Sequence, residues 1–178
     1  MADEARSNPR AAGSREDAVR EEAMRWFAEW HDPLRRYLLC AGASVADAND
    51  AAQETFLRLQ QHLANGGEQS NMRGWIFQVA RNYLRDERKS ARRRKSAPIE
   101  GAEVVDAAID PERAAITEER DRRVRAAVAK LPEPQRECIL LRSAGLRYRE
   151  IAEVMGVNIS SVGTMVARAV ARLSEDLA

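Results

Sequence analysis

The sequence predicts an all-α protein: two small helical domains joined by a flexible acidic linker, the second containing a helix-turn-helix. Three observations lead there. Apolar residues recur at spacings of three and four along most of the chain, and nowhere does apolar alternate with polar as in a strand. Two opposite charge blocks meet in mid-chain: Arg81 to Lys95 carries a net +6 and Ile99 to Asp121 a net −6. Finally, the run LRYREIAEVMGVNISSVGTMVARAVARL, from Leu146 to Leu173, has the spacing of helix, tight turn, helix.

Taken in order, residues 1–20 are rich in Ala, Arg and acids and read as a disordered N-terminus. The first helical domain spans 21–95. Met24, Phe27 and Trp30 fall three apart; Asp32 and Pro33 then suit a cap and first helical position, so Pro33 is expected to separate this helix from one bearing Leu34, Tyr37, Leu38 and Ala41. Ser44, with Asp47 three residues on, opens an amphipathic run through Ala48, Ala51, Ala52, Thr55, Phe56 and Leu59. NGGEQSN breaks it, and Asn71 can cap a helix carrying Trp75, Ile76, Val79, Ala80, Tyr83 and Leu84. Residues 96–121, with Pro111 and no sustained periodicity, read as the linker. The second domain spans 122–178: Val124, Val128 and Leu131 make a stripe ending at Pro132 and Pro134, Cys138 to Leu141 make the next, and the helix-turn-helix follows.

Composition narrows the chemistry. With 178 residues, 29 basic against 28 acidic side chains and 44% apolar residues, the chain has material for real cores but not for a large multidomain enzyme. No apolar stretch approaches a membrane span and the N-terminus lacks a secretory signal, which predicts a cytoplasmic protein without membrane insertion. Cys40 and Cys138 are far apart, with no CxxC and no histidine pair nearby, and are expected as buried free thiols. His31 and His62 are equally isolated. No nucleophilic triad order, Gly-rich phosphate loop or paired-carboxylate motif occurs, so neither catalytic residues nor a metal or other cofactor is expected.

What the chain offers instead is cation. In a helix-turn-helix the second helix enters the major groove, so the side opposite Val162, Val166, Ala169 and Leu173 does the reading: Ser160, Ser161, Gly163, Thr164, Arg168 and Arg172. From Ser160 to Arg172 there is no acid, whereas a merely solvated helix face mixes both signs. Arginines there can meet phosphates or guanine edges, and hydroxyls can bond to either, while Arg147 and Arg149 add backbone anchors. The basic end of the Asn71 helix, from Arg81 to Lys95, suits a nucleic-acid backbone, and Trp75 is a candidate stacking surface for an unpaired base.

Three ordered blocks carry a family resemblance: DANDAAQETFLRLQQHL (Asp47 to Leu63), RGWIFQVARNYLRDERKSARRR (Arg73 to Arg94) and LPEPQRECILLRSAGLRYREIAEVMGVNISSVGTMVARAVARL (Leu131 to Leu173). In order and spacing they resemble the bacterial RNA polymerase sigma factors of the extracytoplasmic-function (ECF) group of the sigma-70 family, over roughly residues 20 to 95 and 122 to 175. The resemblance implies a non-catalytic subunit that binds core RNA polymerase and directs promoter recognition, melting and initiation. It implies that Asp47, Asp50, Gln53, Glu54, Leu57 and Arg58 dock on the largest polymerase subunit. It assigns Arg73, Trp75, Arg81, Asn82, Arg85, Arg88 and Lys89 to the proximal promoter element. Arg147, Arg149, Ser160, Ser161, Gly163, Thr164, Arg168 and Arg172 fall to the distal element, with that domain resting on the second-largest subunit. Promoter DNA and an anti-sigma factor complete the implied partners. The alternative is a stand-alone helix-turn-helix regulator, which would bind its sites without polymerase.

Two departures from the family pattern matter. Asn49 stands where many relatives have an acid, removing a charge from the docking face, and Thr55, about one and a half turns further along, is a candidate regulatory phosphorylation site that would restore about −1.5 to −2. Gly163 and Met165 occupy recognition-helix positions where relatives often have bases. The acidic linker is a candidate competitor for the two basic surfaces.

Overall fold

The computed structural model describes residues 9–94 and 111–178. Among them are seven helices and no strand: α1 (Pro9–Cys40), α2 (Val45–Ala64), α3 (Met72–Arg94), α4 (Pro111–Lys130), α5 (Glu133–Ser143), α6 (Tyr148–Met155) and α7 (Ile159–Leu177). Helices α1 to α3 form one bundle and α4 to α7 the other. The two are packed together, chiefly through α3 against α6 and the middle of α1 against α5.

Helix α1 corrects two expectations. It begins within the segment read as a disordered N-terminus, and Val19 is half-buried against the core. It also continues through Pro33 without a break. Proline inside a helix removes one hydrogen bond and crowds the preceding turn, at a cost of about 3 kcal/mol. Here Trp30, Leu34, Tyr37 and Leu38 lie at i, i+4, i+7 and i+8 and are all buried, so one continuous packed stripe outweighs the break. Asp32 is no cap; its carboxylate meets His31 Nδ1 at 3.0 Å.

The turns are built as their residues suggest. Ser44 Oγ accepts from the Asp47 amide at 3.1 Å, and its hydroxyl donates to the Asp47 carboxylate at 2.7 Å. Asn71 Oδ1 accepts from the Gly74 amide at 3.0 Å at the start of α3. Phe77 of α3 is fully buried, with edge-to-face contacts to Trp30 at 6.1 Å and Tyr37 at 5.3 Å.

Helix α4 overturns part of the linker assignment, since 111–121 are helical. Proline is at home in a first helical turn, so Pro111 opens this helix, and the Val124 and Val128 stripe read from the sequence is its second half. Pairs such as Glu119 with Arg122 stabilise such a helix locally. Residues 96–110, which carry much of the expected acidic charge, lie outside the described residues, and with them the linker's candidate role as competitor.

In the second bundle α6 and α7 meet at 102°, the angle of a helix-turn-helix. Gly156 ends α6 in the left-handed region (φ 68°) and Asn158 Oδ1 accepts from the Ser161 amide at 2.7 Å to start α7. Nothing lies within 4 Å of where a Gly156 Cβ would sit, so only backbone strain opposes a side chain there. Gly156→Ala should therefore cost about 1–2 kcal/mol, read as a lowered denaturation midpoint with an unchanged slope.

Of the two thiols, Cys138 is buried as expected, and burial together with the Glu137 carboxylate pushes its pKa up to about 11. Cys40 is instead exposed, at the C-terminal end of α1.

Candidate nucleic-acid interface

Three surfaces hold the predicted site residues. On α7, Val162, Val166 and Ala169 are buried against α5 and α6, which turns Ser160, Thr164, Arg168 and Arg172 to solvent. Ser161 and Gly163 are half-buried beside them. The hydroxyls are held locally: Ser160 donates to Asn158 Oδ1 at 2.7 Å and Thr164 to the Ser160 carbonyl at 3.1 Å. Each keeps lone pairs for a further donor. Arg147 and Arg149 are exposed at the start of α6, where Glu150 caps the Arg147 amide at 2.6 Å. Met165 is half-buried against the core, so it does not make this face hydrophobic. Gly163 faces Tyr148 at the distance of ordinary contact, so no close approach requires a glycine there.

The α3 surface is less open than the sequence suggests. Arg85 and Lys89 are exposed, but Asn82 is half-buried. The Arg88 guanidinium donates to the Ala41 carbonyl at 2.7 Å, just past the end of α1. Trp75 stacks on His62 (ring centroids 4.6 Å apart, planes at 29°), and His62 Nε2 lies 2.9 Å from the Glu68 carbonyl. One face of the indole is thus already in use. Arg73 lies 4.3 Å over the Trp30 ring and 3.6 Å from Glu150, and Arg81 is paired with Glu137. The hydrogen bond that Arg81 donates to Glu137 is the main reason its guanidinium holds its proton more tightly than usual. Sequence reading missed Glu137, Glu150 and Glu153 as partners of this helix, because each lies far from it along the chain.

On α2, Asp50 and Gln53 are exposed, Asp47 belongs to the Ser44 cap, and Glu54 pairs with Arg58 at 2.7 Å. Leu57 is 50% exposed and Met24 of α1 62%, and both line an open apolar groove between α1 and α2 with Phe27, His31 and Phe56. The three-residue spacing of Met24 and Phe27 was a visible signal for this groove, but it reads equally as core.

The structure corrects Thr55. Its side chain is fully buried, and its hydroxyl donates to the Ala51 carbonyl at 2.6 Å. A kinase cannot reach it without unfolding α2, and a phosphate there would bury a double charge. Asn49 has a different role from the one its neighbours suggest: its Oδ1 accepts from Arg35 Nε at 2.9 Å, tying α2 to α1. Asn49→Asp should raise stability by less than about 1 kcal/mol through an exposed ion pair, visible as a small rise in melting temperature.

Among the described residues no three His, Cys, Asp or Glu side chains converge to hold a metal ion, and no single helix is long and apolar enough to cross a membrane.

Comparison with known proteins fits this geometry. Residues 14–94 match the family model for Sigma-70 region 2 and residues 121–173 that for Sigma-70, region 4. The chain is 30% identical over 142 residues to the ECF RNA polymerase sigma factor EcfG of Rhodopseudomonas palustris, covering 79% of this chain and 77% of that one. The chain belongs to the ECF sigma factors of the sigma-70 family. It is also 25% identical over 148 residues to the sigma factor SigZ of Bacillus subtilis, covering 83% and 82% of the two chains. Among solved structures, its fold is similar to the sigma factor RpoE in the complex with the anti-sigma factor NepR from Bartonella quintana. There the TM-score is 0.70 at 22% identity, over 88% of this chain and 97% of that one. As a sigma factor, the protein directs promoter recognition and transcription initiation.

Proposed function

We propose that this sigma factor divides its work among the three surfaces just described. The outer side of α2, with Asp50, Gln53, Glu54, Leu57 and Arg58, docks on the largest subunit of core RNA polymerase, and the Met24 to Leu57 groove extends that contact. Asp47 serves it indirectly, by fixing where α2 begins. Helix α3 takes the separated strand of the proximal element, with Arg81, Arg85, Arg88 and Lys89 along the backbone and Trp75 offering its open face to a base. Arg73 and Asn82 flank it. Helix α7 enters the major groove at the distal element, Arg147 and Arg149 grip adjacent phosphates, and the second bundle rests on the second-largest subunit. An anti-sigma factor is a further partner, and the protein acts in the cytoplasm.

The observation that carries this reading is the α7 face: hydroxyls and arginines turned outward from Ser160 to Arg172, without an acid among them. Adding the purified chain to core polymerase should start transcripts at specific sites that share an upstream sequence. If the isolated chain instead occupies such sites tightly and polymerase adds nothing, the stand-alone regulator is the better description.

A further inference from the structure

Helix α2 ends in a turn that shapes the surface assigned to an unpaired base. After Ala64 the chain folds back on the helix, with Gly66 in the left-handed region (φ 68°). The Gly66 amide donates to the Leu63 carbonyl at 3.0 Å and the Gly67 amide to the His62 carbonyl at 2.8 Å. In such a turn a side chain from the last position usually packs against the helix residue whose carbonyl it binds. That last position is Gly67, and the imidazole of His62 fills the space instead. A Cβ on Gly67 would stand 2.2 Å from Cε1 of the ring and 2.4 Å from both ring nitrogens. The ring therefore lies there only because residue 67 has no side chain.

Two further contacts fix the imidazole. Its Nε2 lies 2.9 Å from the Glu68 carbonyl, and since a carbonyl oxygen only accepts, that nitrogen carries the proton. The Trp75 indole of α3 stacks on the same ring, with centroids 4.6 Å apart and planes at 29°. Trp75 is held at its base as well, its amide donating to the Asn71 carbonyl at 3.0 Å. His62, Gly67, Glu68 and Trp75 all belong to α2, α3 and the turn between them, so the arrangement is complete within the first bundle. An indole without such support turns about two bonds, and immobilising it when a ligand binds costs affinity. With His62 behind it, the indole is set before a base arrives.

We infer that His62 is the positioning residue of the strand-capture site: seated in the space left by Gly67 and pinned by the Glu68 carbonyl, it closes one face of Trp75 and holds the other ready for an unpaired base of the proximal element. This rests on the assignment of Trp75 to the separated strand. His62 acts through the indole and not on the DNA, so its whole effect passes through Trp75.

The test uses holoenzyme assembled from core polymerase and the full chain, carrying His62→Ala, Trp75→Ala, both together, or Gly67→Ala. The probe is a fluorescently labelled promoter fragment from a site mapped by transcription, with its proximal element left unpaired. Trp75→Ala should weaken binding, and His62→Ala should weaken it by roughly three- to tenfold, the cost of ordering one or two side chains anew. In the Trp75→Ala background, His62→Ala should change nothing further, a coupling that a general loss of structure would not produce. Gly67→Ala keeps both rings but fills the seat, and should weaken binding in the same direction. Helical content and affinity for core polymerase should match wild type throughout. If Trp75→Ala weakens binding while His62→Ala and Gly67→Ala do not, the positioning role is overturned and the strand assignment stands. An equal loss from His62→Ala in both backgrounds also overturns it, because His62 would then act independently of the indole. Undiminished binding by Trp75→Ala would remove the strand assignment itself, and the inference with it.

Discussion

Phe77→Ala should destabilise the protein by about 3–5 kcal/mol, the cost of removing a fully buried aromatic ring and leaving a cavity behind. The ring sits where α1 and α3 cross, edge-on to both Trp30 and Tyr37, so the surrounding helices cannot close over the space without losing those contacts as well. Small domains have total stabilities of only about 5–15 kcal/mol, so this single change would consume much of the margin. Urea unfolding followed by circular dichroism measures it, and a loss under about 1 kcal/mol would mean that the α1–α3 crossing is not the centre of the core. The partners of Phe77 also join the junction between bundles, Trp30 directly, so the variant should loosen that junction before it unfolds the chain.

The second large effect lies at the opposite end. Residues near the start of a groove helix reach base edges, and residues further along meet phosphates. Arg168, one turn nearer the start of α7 than Arg172, should therefore contribute more to base reading, and Arg172 more to backbone attraction. Arg168→Ala in the holoenzyme should cost about 1–3 kcal/mol of distal-element binding and relax the sequence preference at one position. Arg172→Ala should weaken binding to all sequences alike and reduce the slope of log affinity against log salt by about one. Competition with matched and mismatched promoter fragments, repeated across salt concentrations, distinguishes the two. Identical profiles for both variants would contradict the division. Neither side chain contributes to the core, so melting temperature should not move.

The same contrast between local and distant contacts decides how far the sequence could be read. Helices α2, α3 and α5 to α7, the caps at Ser44, Asn71 and Asn158, and the Gly156 turn were all legible, because each depends on residues within one or two turns of one another. The reading face of α7 was legible for the same reason: the buried stripe of Val162, Val166 and Ala169 fixes by periodicity which residues point out.

The local signals also misled where packing reversed them. Pro33 carries a genuine stop signal, overruled by the burial of Leu34, Tyr37 and Leu38 on the face that Trp30 begins. Thr55 looked available because hydroxyl and helix position are local facts, whereas its accessibility is set by helices packed against it. Only the second half of α4 was legible, through Val124 and Val128; its first half escaped detection because 111–121 are rich in charge and show no sustained apolar period.

By itself, then, the sequence determined the helical architecture, the two-part organisation, the groove-reading face and the family, since all of these are written in spacings of a few residues or in motif order. Only the tertiary structure decided which cations are available. Arg81 and Arg73 look like free charge along the chain, yet their environment is set by Glu137 and Glu150, brought over from another bundle. A charge acts through space and not along the backbone, and no periodicity records which opposite charge folding will place beside it.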